Sequence, residues 1–288
     1  WELSQKLRTI NEGINSAGRK AVDLSWEDVQ KNLMDATFDR KFQYSCHLKL
    51  LQSEALNNIF KYERGLGTFV DSHHVEIKKA NGEKKVIFAE NIIIATGSKP
   101  RTLPNIEVDE KVIMTSDGVD HMKSFPKSMV IVGAGVIGCE YATIFSNFGK
   151  TKVYLIDRSD RILPFEDNDI SDLISKNMKE KGVTIHNKAQ LERLEIKDGE
   201  VEYELSYKDG TKEVIRVEKA LLSVGRKLCI EGLKMENAGV TLSKRGVHIG
   251  DVDTQTNIPN IYVVGDASGH ISLVNVGELE GRYARLIP

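Results

Sequence analysis

Cysteine is scarce in this sequence and poorly spaced for chemistry. The three cysteines, Cys46, Cys139 and Cys229, lie far apart and form no metal-ligand or redox spacing. That excludes a disulfide framework and sets the expectation of a reducing, cytoplasmic setting. No apolar run approaches the roughly 20 residues that span a bilayer, and no secretory signal is legible, so no membrane association is expected. Positive charge is not in excess: the formal net charge is -2, which argues against a nucleic-acid partner. Low-complexity segments and tandem repeats are missing too. What remains is an ordinary globular balance, 40% hydrophobic and 28% charged, over 288 residues, a length that suits about two domains. The first residue is Trp1 instead of Met, and the last segment, GRYARLIP, is still helix-like. Both ends read as cut.

Up to about Leu66 apolar residues recur at helical steps, with LKLLQSEALNNIF the clearest amphipathic stretch. The period then changes. HHVEIKK and KKVIFAE alternate around Asn81-Gly82, which predicts a hairpin. NIIIATG is a continuous apolar run, as expected of a strand buried on both faces. Pro100 and Pro104 mark the connection out of this unit. From about Ser128 the order is strand SMVIVGAG, helix Val136 to about Phe148, strand KVYLID, helix DNDISDLISKNMKEKG and strand VTIH. A second hairpin is predicted around Asp209-Gly210, followed by the buried strand KALLSVG. The chain closes with the strand-to-glycine turn NIYVVGDASG and a helix from about Leu273. One event recurs: a buried strand ending in glycine, at Gly97, Gly133, Gly225 and Gly265.

Gly133, Gly135 and Gly138 form GxGxxG between a strand and a helix. The first glycine permits the tight turn, the second lets a pyrophosphate approach the backbone, and the third lets helix and strand pack closely. The helix that follows points free N–H groups of Val136 and Ile137, with a partial positive charge, at the phosphates. Asp157 ends the next strand about twenty residues on, where an acid accepts hydrogen bonds from the adenosine ribose. This favours NAD(H). Arg158 and Arg161 stand close in sequence and could offset the repulsion of a 2′-phosphate, so NADP is not excluded. Asp266, in VVGDASG, ends a buried strand beside a helix start, where its carboxylate can accept from a polyol.

Taken in order, IIIATGSKPRTLP, TSDGV, VIVGAGVIGCEYATIF, DRSDRILP, LLSVGR and IYVVGDASG resemble the pyridine nucleotide–disulfide oxidoreductases, flavoenzymes with two dinucleotide sites. GCEYATIF and DRIL lean towards the soluble transhydrogenase branch, with the dihydrolipoyl dehydrogenase branch close behind. The resemblance implies an α/β fold of two interleaved three-layer Rossmann-like dinucleotide-binding domains, the FAD domain incomplete. Residues 1–100 would be the first part of the FAD domain, 101–226 the NAD(P) domain, and 227–288 the return of the FAD domain. FAD and NAD are the implied cofactors, a homodimer the implied assembly, and pyridine nucleotides the small-molecule partners. Ala95, Thr96 and Gly97 would line the adenosine and pyrophosphate side of FAD, with Ser116 nearby. Gly265 and Asp266 would meet the ribitol, and the helix start at Leu273 and Val274 the flavin. Glu140 matches a helix glutamate at the flavin–nicotinamide junction, whose lysine partner is missing from this sequence. Gly225 and Arg226 match a Gly-Arg pair near the cofactors, although GRKLC departs from the usual proline-containing continuation. The family's FAD fingerprint, its CxxxxC pair and its C-terminal His–Glu pair have no match here. The chain alone is therefore expected to be inactive.

The remaining candidates read more plainly. Cys139 is expected to be a packed thiol, His270 an exposed loop residue, and the carboxylates of FEDNDISD helix caps instead of metal ligands. His73 and His74 alternate faces of a strand, which makes a shared ion awkward. A single-cofactor dehydrogenase would need Tyr-x-x-x-Lys or a His–Asp arrangement after the fingerprint, and neither is found. The rival from another class is a non-catalytic nucleotide-binding module.

Overall fold

A computed structural model describes residues 2–16, 22–53, 60–243, 246–247 and 254–286. Two compact units interleave along the chain. The inner unit comprises the chain through Asp39 together with Pro100–Gly225; the outer comprises Arg40–Lys99 and Arg226–Pro288. This differs from the domain limits expected from the sequence. Pro100 and Arg226 each shift by one residue across a boundary, and, as a second and larger difference, the first 39 residues group with the inner unit. Burial explains the second difference. Helix Glu2–Ser16 packs on helix Val136–Phe148 and buries Ser4 and Leu7. Trp26 stacks on Phe145 with ring centroids 6.0 Å apart, and its Nε1 donates to the Met122 carbonyl at 2.7 Å.

The inner unit has three layers. Its middle is a five-stranded sheet in the order Ile113–Met114, Lys219–Leu222, Ser128–Val132, Lys152–Ile156, Thr184–His186, with every neighbouring pair parallel. Strands buried on both faces read as unbroken apolar runs, and successive side chains alternate between the faces. Met129 and Ile131 accordingly join Phe145, Leu155 and Met178 on the helical side. Val130 and Val132 face Tyr203, Leu205 and Val217 of an antiparallel meander on the other.

That meander comprises Gln190–Lys197, Glu200–Ser206 and Lys212–Val217. The hairpin around Asp209-Gly210 is present as expected, but the strand Gln190–Lys197 is a finding of the structure alone. Its apolar period is broken by an irregularity between Leu191 and Arg193, and its outward positions are charged. Helix Asn168–Glu180 is capped by Asp167, which accepts from the Asp169 N–H. Of the acidic cluster, Asp167 thus acts as the cap.

The outer unit holds the expected hairpin, His74–Lys78 with Lys84–Phe88, extended by an unforeseen third strand, Leu66–Phe69. Ile92–Ile94 pairs in parallel with Ile261–Val263. Its burial corrects the sequence expectation. Ile94 is buried, but Ile93, whose side chain points to the opposite face, is 44% exposed. Ile94, Ile261, Val263, Phe69, Met235 and Ala267 form the core of this unit. Helix Trp26–Leu51 ends inside the LKLLQSEALNNIF stretch, of which residues 54–59 lie outside the described residues. No described helix is long and apolar enough to cross a membrane.

Candidate functional site

In the inner unit the three glycines of the fingerprint do three different things. Gly133 has φ +101°, and a side chain there would press a methyl group to 2.5 Å from the Ser223 carbonyl oxygen. A methyl on Gly138 would lie 1.9 Å from the Gly133 oxygen. A methyl on Gly135 would meet no atom within 4 Å. The chain therefore needs the first and third glycines for its own packing, while the second faces open space. Gly135 is also the N-cap of helix Val136–Phe148, and no side chain caps that end. The first-turn N–H groups have no intrahelical acceptors. Open space beside uncapped N–H groups fits the pyrophosphate of a dinucleotide.

Two residues on the next strand and loop hold this turn by its middle. Ala134 donates its N–H to Asp157 Oδ2 at 2.7 Å and accepts the Leu163 N–H at 2.8 Å. Leu163 adopts φ +46°, a left-handed conformation uncommon for a leucine. The other oxygen of Asp157 accepts from the Ser159 N–H at 2.8 Å. A carboxylate offers about four lone pairs, so after these two bonds it can still accept a ribose diol. Arg158 is exposed. Arg161 instead donates to the carbonyls of Pro164 and Glu166, which closes its own loop.

Glu140 stands exposed on the fingerprint helix. Its neighbour Cys139 is 5% exposed, with Sγ 3.5 Å from the Ala134 oxygen. Burial pushes this thiol up to about 12, and the charges of Asp157 and Glu140 add to the effect. It is the packed, unreactive thiol that the sequence suggests. Gly225, at φ +102°, accepts the Arg101 N–H at 3.0 Å. Ser116 opens the short helix Ser116–Val119 of the inner unit, whereas Ala95, Thr96 and Gly97 belong to the outer unit.

The outer unit brings Asp266 together with two residues distant in sequence. Ser98 Oγ donates to Asp266 Oδ2 at 2.5 Å. Arg226 Nε donates to Ser98 Oγ at 2.6 Å, and Nη2 to the Ser98 carbonyl at 2.8 Å. Arg226 is thus no loose surface charge. Helix Val274–Leu286 is clipped to the same turn: Glu280 Oε2 accepts the Gly265 N–H at 2.6 Å, and Gly277 packs on Gly265. Leu273 and Val274, at the start of that helix, are exposed, as are Ala95, Thr96 and His270. Ser98, Ser223, Leu163 and Glu280 escape a sequence reading because each acts through a bond to a residue outside its own motif.

A model of the family described as pyridine nucleotide-disulphide oxidoreductase matches residues 12–281. The chain belongs to this family. Among relatives within it, a dihydrolipoyl dehydrogenase of Bacillus subtilis (strain 168) is 35% identical over 266 residues, covering 92% of this chain and 55% of that protein. A soluble pyridine nucleotide transhydrogenase of Pseudomonas fluorescens (strain SBW25) is 38% identical over 220 residues, 76% of this chain and 46% of the relative. The chain therefore spans about half the length of the curated relatives it matches. Among solved structures, LpdA from Mycobacterium tuberculosis superposes with a TM-score of 0.83 at 23% identity, over 98% of this chain and 60% of that one. The HOCl-induced flavoprotein disulfide reductase RclA from Escherichia coli gives 0.78 at 24%, over 99% and 60%. The chain thus shares the α/β fold of those two structures.

Proposed function

We propose that the chain binds NAD(H) on its inner unit and FAD on its outer unit, and that it serves hydride transfer from a nicotinamide through a flavin to a second pyridine nucleotide. The inner unit is then the nicotinamide domain and the outer the flavin domain. The observation that carries this reading is the glycine turn, where two positions are closed by the chain's own packing and the third opens beside an uncapped helix. A bound flavin supplies the uptake and release of a hydride.

The chain's residues bind and orient. The N–H groups of Val136 and Ile137 hold a pyrophosphate, and Asp157 selects the ribose of NAD(H). Arg158 leaves a cation for NADP(H). The backbone at Ala95, Thr96 and Gly97 and the carboxylate of Asp266 serve the FAD chain. The helix start at Leu273 and Val274 favours negative charge on the flavin ring. Gly225 and Arg226 serve cofactor binding, each on its own unit, and Glu140 is the residue assigned to the chemistry.

A second reading is disulfide reduction of the dihydrolipoyl dehydrogenase kind, favoured by identity that extends over 92% of the chain. The deciding experiment begins with a flavin spectrum of the full-length protein and its bleaching by NADH. Reoxidation is then followed with a pyridine nucleotide analogue and with lipoamide. Faster reoxidation by the analogue supports the transhydrogenase reading, and faster reoxidation by lipoamide supports the other. A colourless protein that binds nucleotide would make the chain a non-catalytic module. Light scattering tests the homodimer that the family resemblance implies.

A further inference from the structure

Asp266, Ser98 and Arg226 meet inside the outer unit across sequence separations of 168 and 128 residues. A serine hydroxyl has one proton to donate and two lone pairs to accept with, while a guanidinium only donates. Arg226 Nε points its proton at Ser98 Oγ, so the hydroxyl proton is directed to Asp266 Oδ2. The second arm of Arg226, Nη2, holds the carbonyl of the same serine, so the guanidinium grips one residue at two points. Its Nε also lies 3.6 Å from Oδ2. Rotation of the carboxylate would break the Ser98 bond, which ties down one oxygen. Oδ1 has no hydrogen bond to any described residue, and the Asp266 side chain is 28% exposed.

We propose that Ser98 and Arg226 are positioning residues for Asp266, orienting its carboxylate so that Oδ1 alone is presented to a hydroxyl of the flavin's polyol chain. This rests on the reading of the outer unit as a flavin site. Charge-assisted hydrogen bonds of this kind gain strength from fixed geometry. A lysine at 226 keeps the charge but cannot hold two atoms of Ser98 at once.

The test titrates FAD into the flavin-free full-length protein and reads the dissociation constant from flavin fluorescence, with the melting temperature of the flavin-free protein alongside. Asp266→Ala, Ser98→Ala and Arg226→Lys are each expected to weaken FAD binding about tenfold, the scale of one lost charge-assisted bond. Ser98→Thr, which keeps the hydroxyl, should restore it. In the Asp266→Ala background the Ser98 and Arg226 changes should add less than about twofold, because they act through the carboxylate.

If those two changes do nothing, or weaken binding equally in that background, the positioning role is overturned and the flavin reading of Asp266 stands. If Asp266→Ala leaves FAD affinity unaltered, or the unaltered full-length protein takes up no FAD, the flavin reading itself fails and the positioning role falls with it.

Discussion

The carbonyl oxygen of Gly133 would lie 1.9 Å from a methyl group on Gly138, far inside any permitted contact. The same oxygen accepts the Ser223 hydroxyl at 2.8 Å. Turn, helix and neighbouring strand end converge on one atom, so the glycine turn cannot loosen in only one of them.

Gly138→Ala and Gly135→Ala should therefore differ in kind. The first forces the backbone apart and is expected to cost about 1–3 kcal/mol of stability, the usual scale of overpacking. The second meets no protein atom within 4 Å and should leave the melting temperature nearly unchanged while obstructing NADH. Thermal melts with and without NADH separate the two, and equal losses in the unliganded protein would refute the distinction.

Asp157→Asn removes one of two acceptor oxygens, both of which already receive a backbone N–H. The amide must leave either Ala134 or Ser159 without its partner. Preference for NADH over NADPH is expected to fall roughly tenfold, since a hydrogen bond to a charged acceptor carries about 1.5–3 kcal/mol. Competition titrations of the two nucleotides measure the ratio.

In helix Val274–Leu286, Gly277 and Gly281 form a matched pair of tests. Alanine improves helix propensity by about 1 kcal/mol at either site. At Gly281 nothing lies within 4 Å of the added methyl, so the gain should appear in full. At Gly277 the methyl would stand 3.0 Å from the Gly265 Cα. Backbone yields poorly, so a net loss is expected there. Urea unfolding of both variants gives the sign, and a stabilised Gly277→Ala protein would contradict the close packing.

Glu202 accepts from Lys197, Arg193 and Arg216, whose hydrogen bonds, that of Lys197 foremost, lower its carboxyl from 4.5 to about 2. A depressed carboxylate adds stability above its unfolded value and loses it as the pH falls from 4.5 through about 2. Glu202→Gln should therefore destabilise the protein at pH 7, and the gap from the unaltered protein should close as the pH approaches about 2. Denaturant midpoints across that range show it, and a pH-independent gap would place the effect elsewhere.

A thiol-directed probe should modify Cys46 readily and leave Cys139 untouched in the folded protein. Cys46 is exposed. Cys139 is buried, with its thiol pushed up to about 12, and the reactive species is the thiolate. Peptide mapping after brief labelling reads the outcome.

Much of the fold is legible from local signals. The run SMVIV, the glycine spacing and the dipeptides Asn81-Gly82 and Asp209-Gly210 each act within a few residues, through backbone sterics and side-chain period. The strand Gln190–Lys197 is illegible because a register irregularity breaks that period and charges occupy its outer face. Ile93 reads as buried because three consecutive isoleucines look the same whether one face of the strand is covered or both.

By itself the sequence determined where strands turn into helices, which glycines open those turns, and that an acid, Asp157, follows the fingerprint. Only the tertiary structure decided that Ser223 locks Gly133, that Leu163 holds Ala134, and that Ser98 and Arg226 converge on Asp266. Local conformation follows from sterics along a few bonds. A hydrogen bond between residues distant in sequence, as far as 168 apart, exists only once crossover connections have brought its two ends together.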